Sequence, residues 1–431
     1  MKPHLTKLFL LIAVLFTTLH AADDQQTPDP FEPTVSREES KFLARVLETA
    51  ETDALSAIEL IQTERPEDAN SPAIDFTLGN LYFQQDNWED AAVAYRVAIE
   101  KMPRFRAALM NLGRILLLQD KPEETIVLYQ QLVSDGQADA DVLLLLGHAL
   151  LMEEAPVSAE TAYRQAILLR PRDSEIRLGL AKTLLQQERY REGLALINEI
   201  LVNEPLNREL WSLRANALLS DENHEQAIQV IEQARRLGQA DSEMLATLGD
   251  LWINADRTED ALSAYQEAFA DTDPSVDRLL RAIEGFLMLD DSEGAVTMIE
   301  RATLALKEQD DPETETRLLR LRAELALRQN QNEQAATLLE TVLTRNPLDG
   351  RALLTLSDLH LQNNNVEQAL LSAERAARIS GFEDKALLRQ ARIEVDRGNY
   401  RRAVPLLESA QAFNPQDSVA RYLEQVRRLA E

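Results

Sequence analysis

The 431-residue chain contains no cysteine, and it has few glycine, proline or aromatic residues. The absence of cysteine excludes disulfides, thiol catalysis and cysteine-ligated metal sites. The 13 glycines, 16 prolines and 5% aromatic residues leave little material for turns and strands. Alanine, leucine, glutamate, glutamine and arginine are abundant instead, and all of them favour helices. The composition therefore indicates a helical protein.

Positive charge is also in deficit, because 45 lysines and arginines stand against 73 aspartates and glutamates. The formal net charge is −28. Nucleic-acid binding needs clustered lysine and arginine, so we expect no nucleic-acid partner. Such acidity is typical of a long, exposed protein that its net charge keeps in solution.

Motifs that carry chemistry are missing as well. The sequence has no glycine-rich phosphate loop, no nucleophile elbow and no HExxH pair. No two histidines of the chain after residue 21 lie near enough in sequence to form a metal-binding pair. We therefore expect no catalysis, no metal and no cofactor.

The N-terminus carries the one marked apolar run, Leu8 to Leu19, which follows Lys2 and Lys7. A basic start, a short apolar middle and a small exit residue predict a signal peptide over residues 1–21, cleaved after Ala21. An uncleaved anchor is the alternative, although twelve residues are few for a bilayer span. No later stretch is apolar enough to span, so we expect no integral membrane segment after cleavage and a periplasmic location.

The rest of the chain repeats with a period of 34 residues, which is the primary indication of its architecture. Each unit contains two runs with helical apolar spacing, separated by a polar turn, and therefore predicts a pair of antiparallel helices. The repeat is visible in a small residue on the first helix and an aromatic residue on the second, as in Gly79 and Tyr95, Gly113 and Tyr129, and Gly147 and Tyr163.

The period divides the chain into segments. An acidic, proline-rich leader that we expect to be flexible comes first, since it cannot bury enough apolar surface to fold alone. The segments are the leader at 22–36, a degenerate repeat at 37–71, six regular units at 72–275, a longer seventh unit with an acidic loop at 276–315, three units at 316–417, and a capping helix at 418–431.

This spacing resembles the tetratricopeptide repeat, a 34-residue helix–turn–helix unit, over about residues 72–417. The resemblance implies an all-α, right-handed superhelical solenoid of about ten to eleven units with a C-terminal capping helix. It also implies that the first helix of each unit lines a concave face. Ligand contacts in the family come from positions two, five, nine, twelve and thirteen of that helix.

These positions give candidate partner-binding residues for a protein or peptide in the concave groove. The candidates are aromatic at two places and polar or basic at position nine: Phe76, Asn80, Phe83, Arg114, His148, Lys182 and Asn216. Position two carries the opposite sign of charge, as in Glu175 and Glu209. The alternative interpretation is therefore a lattice of ion pairs within and between units that stabilises the array.

The function that this resemblance implies is that of a periplasmic scaffold or adaptor for protein–protein interactions in a cell-envelope complex. Exported members of the family serve outer-membrane assembly, export and TonB-type energised transport. The alternative is a periplasmic chaperone, or a module that binds a glycan or peptide.

The export prediction can be tested directly. When the full chain is expressed in a Gram-negative bacterium, we expect periplasmic protein that begins at Ala22, because the signal peptide is removed after Ala21. N-terminal sequencing and intact-mass measurement of the osmotic-shock fraction check this. Full-length protein that sediments with the membranes would identify residues 1–21 as an anchor.

Overall fold

The computed structural model describes residues 29–270, 274–308 and 311–431. The predicted signal peptide and the first part of the leader lie outside these residues. Within them the chain forms 23 α-helices, one short 3₁₀-helix and no strand. No helix in this part of the chain has the length and apolarity needed to cross a membrane. The predicted all-α helical solenoid is confirmed.

The chain divides into two compact units after Glu222. The helices of the first unit are α1 (Arg37–Thr52), α2 (Ala54–Glu64), α3 (Pro72–Gln84), α4 (Trp88–Lys101), α5 (Arg106–Leu118), α6 (Pro122–Ser134), α7 (Ala140–Met152), α8 (Pro156–Leu169), α9 (Ser174–Gln186), α10 (Tyr190–Asn203) and α11 (Arg208–Ser220).

The second unit begins at Asn223. Its helices are α12 (His224–Arg236), α13 (Ser242–Asn254), α14 (Thr258–Ala268), α15 (Val276–Met288), α16 (Ser292–Ala305), the 3₁₀-helix (Leu306–Glu308), α17 (Pro312–Arg328), α18 (Asn332–Arg345), α19 (Gly350–Gln362), α20 (Val366–Ala376), α21 (Glu383–Asp396), α22 (Tyr400–Phe413) and α23 (Asp417–Ala430).

Most first helices of the pairs begin at a side chain that caps them. Ser71 accepts a hydrogen bond from the N–H of Ala73, and Asp139 accepts one from the N–H of Val142. Asp241 does the same for Met244 in the second unit. Such caps satisfy amide groups that have no partner inside the helix, and each stabilises it by about 1 kcal/mol.

From α3 onward, the turn inside each helix pair uses a residue in the left-handed conformation. In the α3–α4 pair, Asp86 has φ 55°, and the N–H of Asn87 donates to the carbonyl of Tyr82 at 3.0 Å. This bond and the one from the Asp86 N–H to Phe83 form a Schellman motif, which ends the helix. The same turn position is left-handed and acidic at Asp120, Glu154, Glu188, Glu222, Asp256 and Asp290.

The two helices of a pair pack through a tyrosine ring on a glycine. A Cβ atom added at Gly79 would lie 2.6 Å from Tyr95 Cδ1, and one at Gly113 would lie 2.6 Å from Tyr129 Cζ. The space left by the missing side chain is therefore filled by the ring of the second helix. Where alanine replaces the glycine, isoleucine or leucine replaces the tyrosine, as in Ala181 with Ile197, Ala323 with Leu339, and Ala391 with Leu407.

The described part of the predicted leader, residues 29–36, contacts the first unit. Phe31 lies under the guanidinium of Arg104, with 4.5 Å from the Arg104 Cζ to the ring centroid. The carbonyl of Thr34 accepts a hydrogen bond from Ser71 Oγ at 3.1 Å, and Val35 packs against the first apolar cluster. These contacts place the end of the leader on the solenoid, whereas the sequence predicted a segment without them.

The start of α17 differs from the sequence prediction, and α23 shows which residues the C-terminal helix buries. α17 begins at Pro312, four residues before the predicted start of the eighth unit, because Asp311 caps it by accepting from the N–H of Thr314. At the C-terminus, α23 buries Val419, Leu423 and Val426, as expected of a capping helix.

The left-handed turns make a stability prediction. Glu154 has φ 53°, a conformation that costs a non-glycine residue roughly 1–2 kcal/mol, whereas its neighbour Glu153 has φ −84°. We expect Glu154→Gly to raise the free energy of unfolding by about 0.5–1 kcal/mol, measured by urea denaturation with circular dichroism. Glu153→Gly is the matched control and should not stabilise. Equal effects of the two substitutions would contradict the assignment of strain to residue 154.

Candidate functional site

The candidate site is the first-helix face, which we define as positions two, five, nine, twelve and thirteen of each 34-residue repeat, counted from the first residue of the repeat (Pro72 for α3 and Thr316 for α17). At 3.6 residues per turn these positions lie on one side of a helix. In the first unit the face is carried by α3, α5, α7, α9 and α11. In the second unit it is carried by α13, α15, α17, α19 and α21.

The two aromatic candidates take part in packing. The ring centroid of Phe76 lies 4.9 Å from that of Phe105 and 5.6 Å from that of Tyr95. Phe83 is half-buried against the cluster that contains Tyr95. Neither ring is therefore an open aromatic platform.

Asn80 is the centre of a hydrogen-bond network between the first two regular pairs. Its Oδ1 accepts from the Tyr95 hydroxyl at 2.7 Å and from Asn111 Nδ2 at 3.1 Å. Arg114 Nη1 donates to Asn111 Oδ1 at 3.5 Å. The structure thus brings the candidates Asn80 and Arg114 together through Asn111, which the sequence interpretation did not single out.

The equivalent tyrosines of the next two repeats, Tyr129 and Tyr163, differ from Tyr95 in their hydrogen bonds. Tyr129 donates to the carbonyl of Met110 at 3.1 Å. The Tyr163 hydroxyl is buried and has no hydrogen-bond partner among the described residues. His148 and Gly179 stand at the repeat positions that Asn80 and Asn111 occupy beside Tyr95. A Cβ atom added at Gly179 would lie 2.9 Å from the Tyr163 hydroxyl oxygen.

His148 is half-buried beside Tyr163. Its ring is 5.8 Å from that of Tyr163, in an edge-on arrangement. Burial, and then the positive charge of Lys182, lower the pKa of His148 to about 4. Burial, followed by the charges of Asp173 and Asp141, raises the pKa of Glu175. His148 is consequently neutral at pH 7.

Lys182 forms an ion pair across the face, from its Nζ to Glu209 Oε1 at 2.6 Å. This contact joins position nine of α9 to position two of α11, as the charge-lattice interpretation predicts. Asn216, on α11, is exposed.

The second unit repeats this arrangement more densely. Arg278 donates to Glu243 at 2.6 Å and to Asp250 at 2.8 Å, and Asp250 also accepts from the Tyr265 hydroxyl at 2.5 Å. Arg317 in turn contacts Glu284 at 2.8 Å. Position nine of one first helix is therefore linked to position two, three or six of the next. The same linkage joins Asp358 to Arg389.

Exposed apolar side chains lie at position thirteen of the first-helix face, two of them in the first unit and one, Met288, in the second unit at 69% exposure. Leu118 is 36% exposed and Met152 is 43% exposed, both at position thirteen. Leu117 and Leu151 lie beside them, half-buried. Together with Arg114 and Lys182 they form a mixed apolar and basic surface on α5, α7 and α9.

The face provides no evident centre for chemistry. In the part of the chain that the structure describes, no group of three or more histidine, aspartate or glutamate side chains could hold a metal ion. The residues that contact the face and that sequence reasoning missed are Asn111, Gly179 and Arg278. They stand at positions three and six of the repeat, where the residue type varies. The repeat pattern does not constrain these positions, so it gave no reason to select them.

Comparison with known sequences identifies the repeat. Sequence profiles described as tetratricopeptide repeats match residues 76–140, 213–277 and 320–384, and another matches residues 150–217. Together they include more than half of the chain. The chain belongs to the tetratricopeptide repeat family. Members of this family are protein–protein interaction scaffolds and are in general not enzymes. No curated protein matches the sequence.

Several solved structures are similar to this tetratricopeptide repeat protein. One is a tetratricopeptide repeat protein from Parabacteroides merdae ATCC 43184, with 16% identity, a TM-score of 0.42, and coverage of 55% of this chain and 94% of the other. A second is YrrB, described as a TPR protein with an unusual peptide-binding site, with 19% identity, a TM-score of 0.36, and coverage of 42% and 90%.

A third is pilF of Pseudomonas aeruginosa, with 18% identity, a TM-score of 0.36, and coverage of 51% of this chain and 96% of the other. At these identities the likeness concerns the fold alone.

The environment of His148 predicts a pH dependence. Because its pKa falls from the ordinary 6.5 to about 4 on folding, the unfolded chain binds the proton first. Stability is therefore retained above pH 6.5 and decreases as the pH falls toward 4. We expect this group to lower the free energy of unfolding by about 2 kcal/mol between pH 7 and pH 5.

Denaturation at both pH values, with an NMR titration of the His148 ring, measures this effect. His148→Gln should remove it, whereas His224→Gln, at an exposed site, should not. A His148 ring that titrates near pH 6.5 would refute the prediction.

Proposed function

We propose that this protein is a non-enzymatic scaffold of the bacterial cell envelope, exported to the periplasm, which binds a segment of a partner protein on the first-helix face of its first unit. The class of scaffold follows from the family. The location rests on the apolar run Leu8 to Leu19 and the small exit residue Ala21. The envelope complex is the setting that such a location provides.

The observation that carries the proposed binding face is the pair of exposed apolar side chains at position thirteen of two successive first helices. Leu118 of α5 and Met152 of α7 are 36% and 43% exposed. In the second unit Met288 of α15 is exposed at the same position, but Asp250, Glu284 and Asp358 are engaged there by arginines of the next helix pair. Exposed apolar side chains flanked by charges are typical of protein-binding surfaces, and methionine adapts to different partners.

A protein segment suits this face better than a glycan does. Glycan binding would favour exposed aromatic rings, but Phe76 and Phe83 are half-buried in packing contacts. A chaperone role uses the same apolar surface with less selectivity. Affinity capture from periplasmic extract with residues 22–431 distinguishes these cases, because a scaffold retains a small set of proteins whereas a chaperone retains many unfolded ones.

A charge exchange tests whether Lys182 binds the partner or only stabilises the solenoid. Lys182→Glu alone faces Glu209 with a like charge, so we expect a lower melting temperature and weaker capture. The double variant Lys182→Glu/Glu209→Lys restores the ion pair, which is worth about 0.2–1 kcal/mol, and should recover the melting temperature. If the face binds the partner, the double variant still fails to capture the proteins that the wild type retains.

The matched control is the exchange Glu284→Arg/Arg317→Glu in the second unit, where the same kind of pair is 2.8 Å long. Arg317 also pairs with Asp277 at 3.0 Å, so this exchange should lower the melting temperature slightly and should preserve capture. Recovery of capture in the Lys182/Glu209 double variant would show that the pair is structural and would place the binding site elsewhere.

A further inference from the structure

A second surface lies at the turns between successive helix pairs of the first unit, at the starts of α5 and α9. The turn before α5 is occupied by the chain's own N-terminal segment. Phe31 lies under Arg104, and its carbonyl accepts from the N–H of Arg106 at 3.4 Å. Asp29 Oδ1 in turn accepts from the N–H of Phe31 at 2.9 Å.

An equivalent turn occurs two 34-residue repeats later in the chain. Pro103-Arg104 precedes α5, and Pro171-Arg172 precedes α9, at the same repeat positions. Both proline carbonyls are fixed, since Pro103 accepts from Gln131 Nε2 at 2.6 Å and Pro171 accepts from Arg177 Nε at 2.9 Å. Ser174, the first residue of α9, corresponds to Arg106, the first residue of α5.

The second turn has the arginine but not its partners. Arg104 forms an ion pair with Asp135 at 3.2 Å in addition to its contact with Phe31. The position of Asp135 is occupied by Asn203 at the second turn. Arg172 is exposed and forms no ion pair among the described residues. An aromatic ring and a carboxylate are therefore both missing beside its guanidinium.

The segments on either side of Arg172 expose apolar side chains where the two preceding repeats are polar. Leu168 and Val202 are each 80% exposed, whereas Glu100 and Ser134 stand at the same repeat position in the preceding units. Leu169 is 54% exposed. It lines a shallow cavity of about 370 Å³ together with Ala138, Ala140, Arg170 and the aspartates at 139 and 141.

We propose that the Arg172 turn is a docking site for an extended segment of a partner protein that carries an aromatic residue next to an acidic one. The aromatic ring lies on the Arg172 guanidinium, and the carboxylate takes the place that Asp135 has at the first turn. A backbone carbonyl accepts from the N–H of Ser174, and apolar side chains cover Leu168, Leu169 and Val202.

The chemistry of the proposed partner follows from the segment that occupies the first turn. That segment, Asp29-Pro30-Phe31-Glu32, has an aromatic residue next to an acidic one. A second copy of the chain is the less favoured source. Its Phe31 already contacts Arg104 in the same molecule, so it would have to leave that site first.

The test uses the mature chain and a fluorescein-labelled peptide with the sequence of residues 29–36. Fluorescence anisotropy should show saturable binding, and Arg172→Ala should weaken it at least tenfold. The peptide with alanine in place of phenylalanine should bind as weakly. Arg208→Ala, an exposed arginine at the next turn, should leave the affinity unchanged, and so should the Lys182/Glu209 charge exchange.

Three outcomes overturn the proposal. The first is the absence of saturable binding. The second is a loss of affinity in Arg104→Ala that Arg172→Ala does not share, which would mean that the peptide only exchanges with the chain's own segment. The third is a concentration-dependent dimer in light scattering that Phe31→Ala abolishes, which would make a second copy the occupant. Arg172 is exposed, so Arg172→Ala should keep the wild-type circular dichroism and melting temperature.

Discussion

The contact between a second-helix tyrosine and a first-helix glycine is the constraint on which much of this structure depends. A side chain as small as alanine at Gly79, Gly113 or Gly249 would place its Cβ atom within 2.6 Å of the ring of Tyr95, Tyr129 or Tyr265. Real Cβ atoms do not approach other atoms so closely, so the ring and the glycine require each other. The contact sets the distance between the two helices, and at Tyr95 and Tyr265 the hydroxyl reaches position nine of the first helix.

This orientation links the core to the candidate binding face. The Tyr95 hydroxyl needs an acceptor once it is buried, and Asn80 supplies it. Asp250 supplies it for Tyr265 and then also holds Arg278. Part of the variation at position nine therefore serves the burial of a hydroxyl group. A residue at position nine is a candidate for partner binding only if it does not already form such a hydrogen bond with a buried tyrosine.

The parts of the structure that sequence could predict are those that recur. The helix pairs, the turn after Gln84 and the capping helix after Pro415 follow from apolar spacing and turn residues that return every 34 positions. The side-chain partners at the first-helix face recur only in part, because they join positions in neighbouring repeats whose alignment only the packing fixes. Asn111 is an example, since its role depends on the distance between α3 and α5. Phe31 is another, because a short proline-rich segment carries no periodicity that could indicate its contact with Arg104.

The acidic left-handed turns have a consequence for the behaviour of the protein in solution. From Asp86 to Glu222, each turn of the first unit places one carboxylate at the same repeat position. Such a row of like charges repels the equivalent edge of a neighbouring molecule over a distance of about 8–10 Å at physiological ionic strength. A glycine substitution at one of these turns would therefore have two effects. It would remove the conformational strain of the left-handed residue, and it would also remove one negative charge from the edge that repels neighbouring molecules.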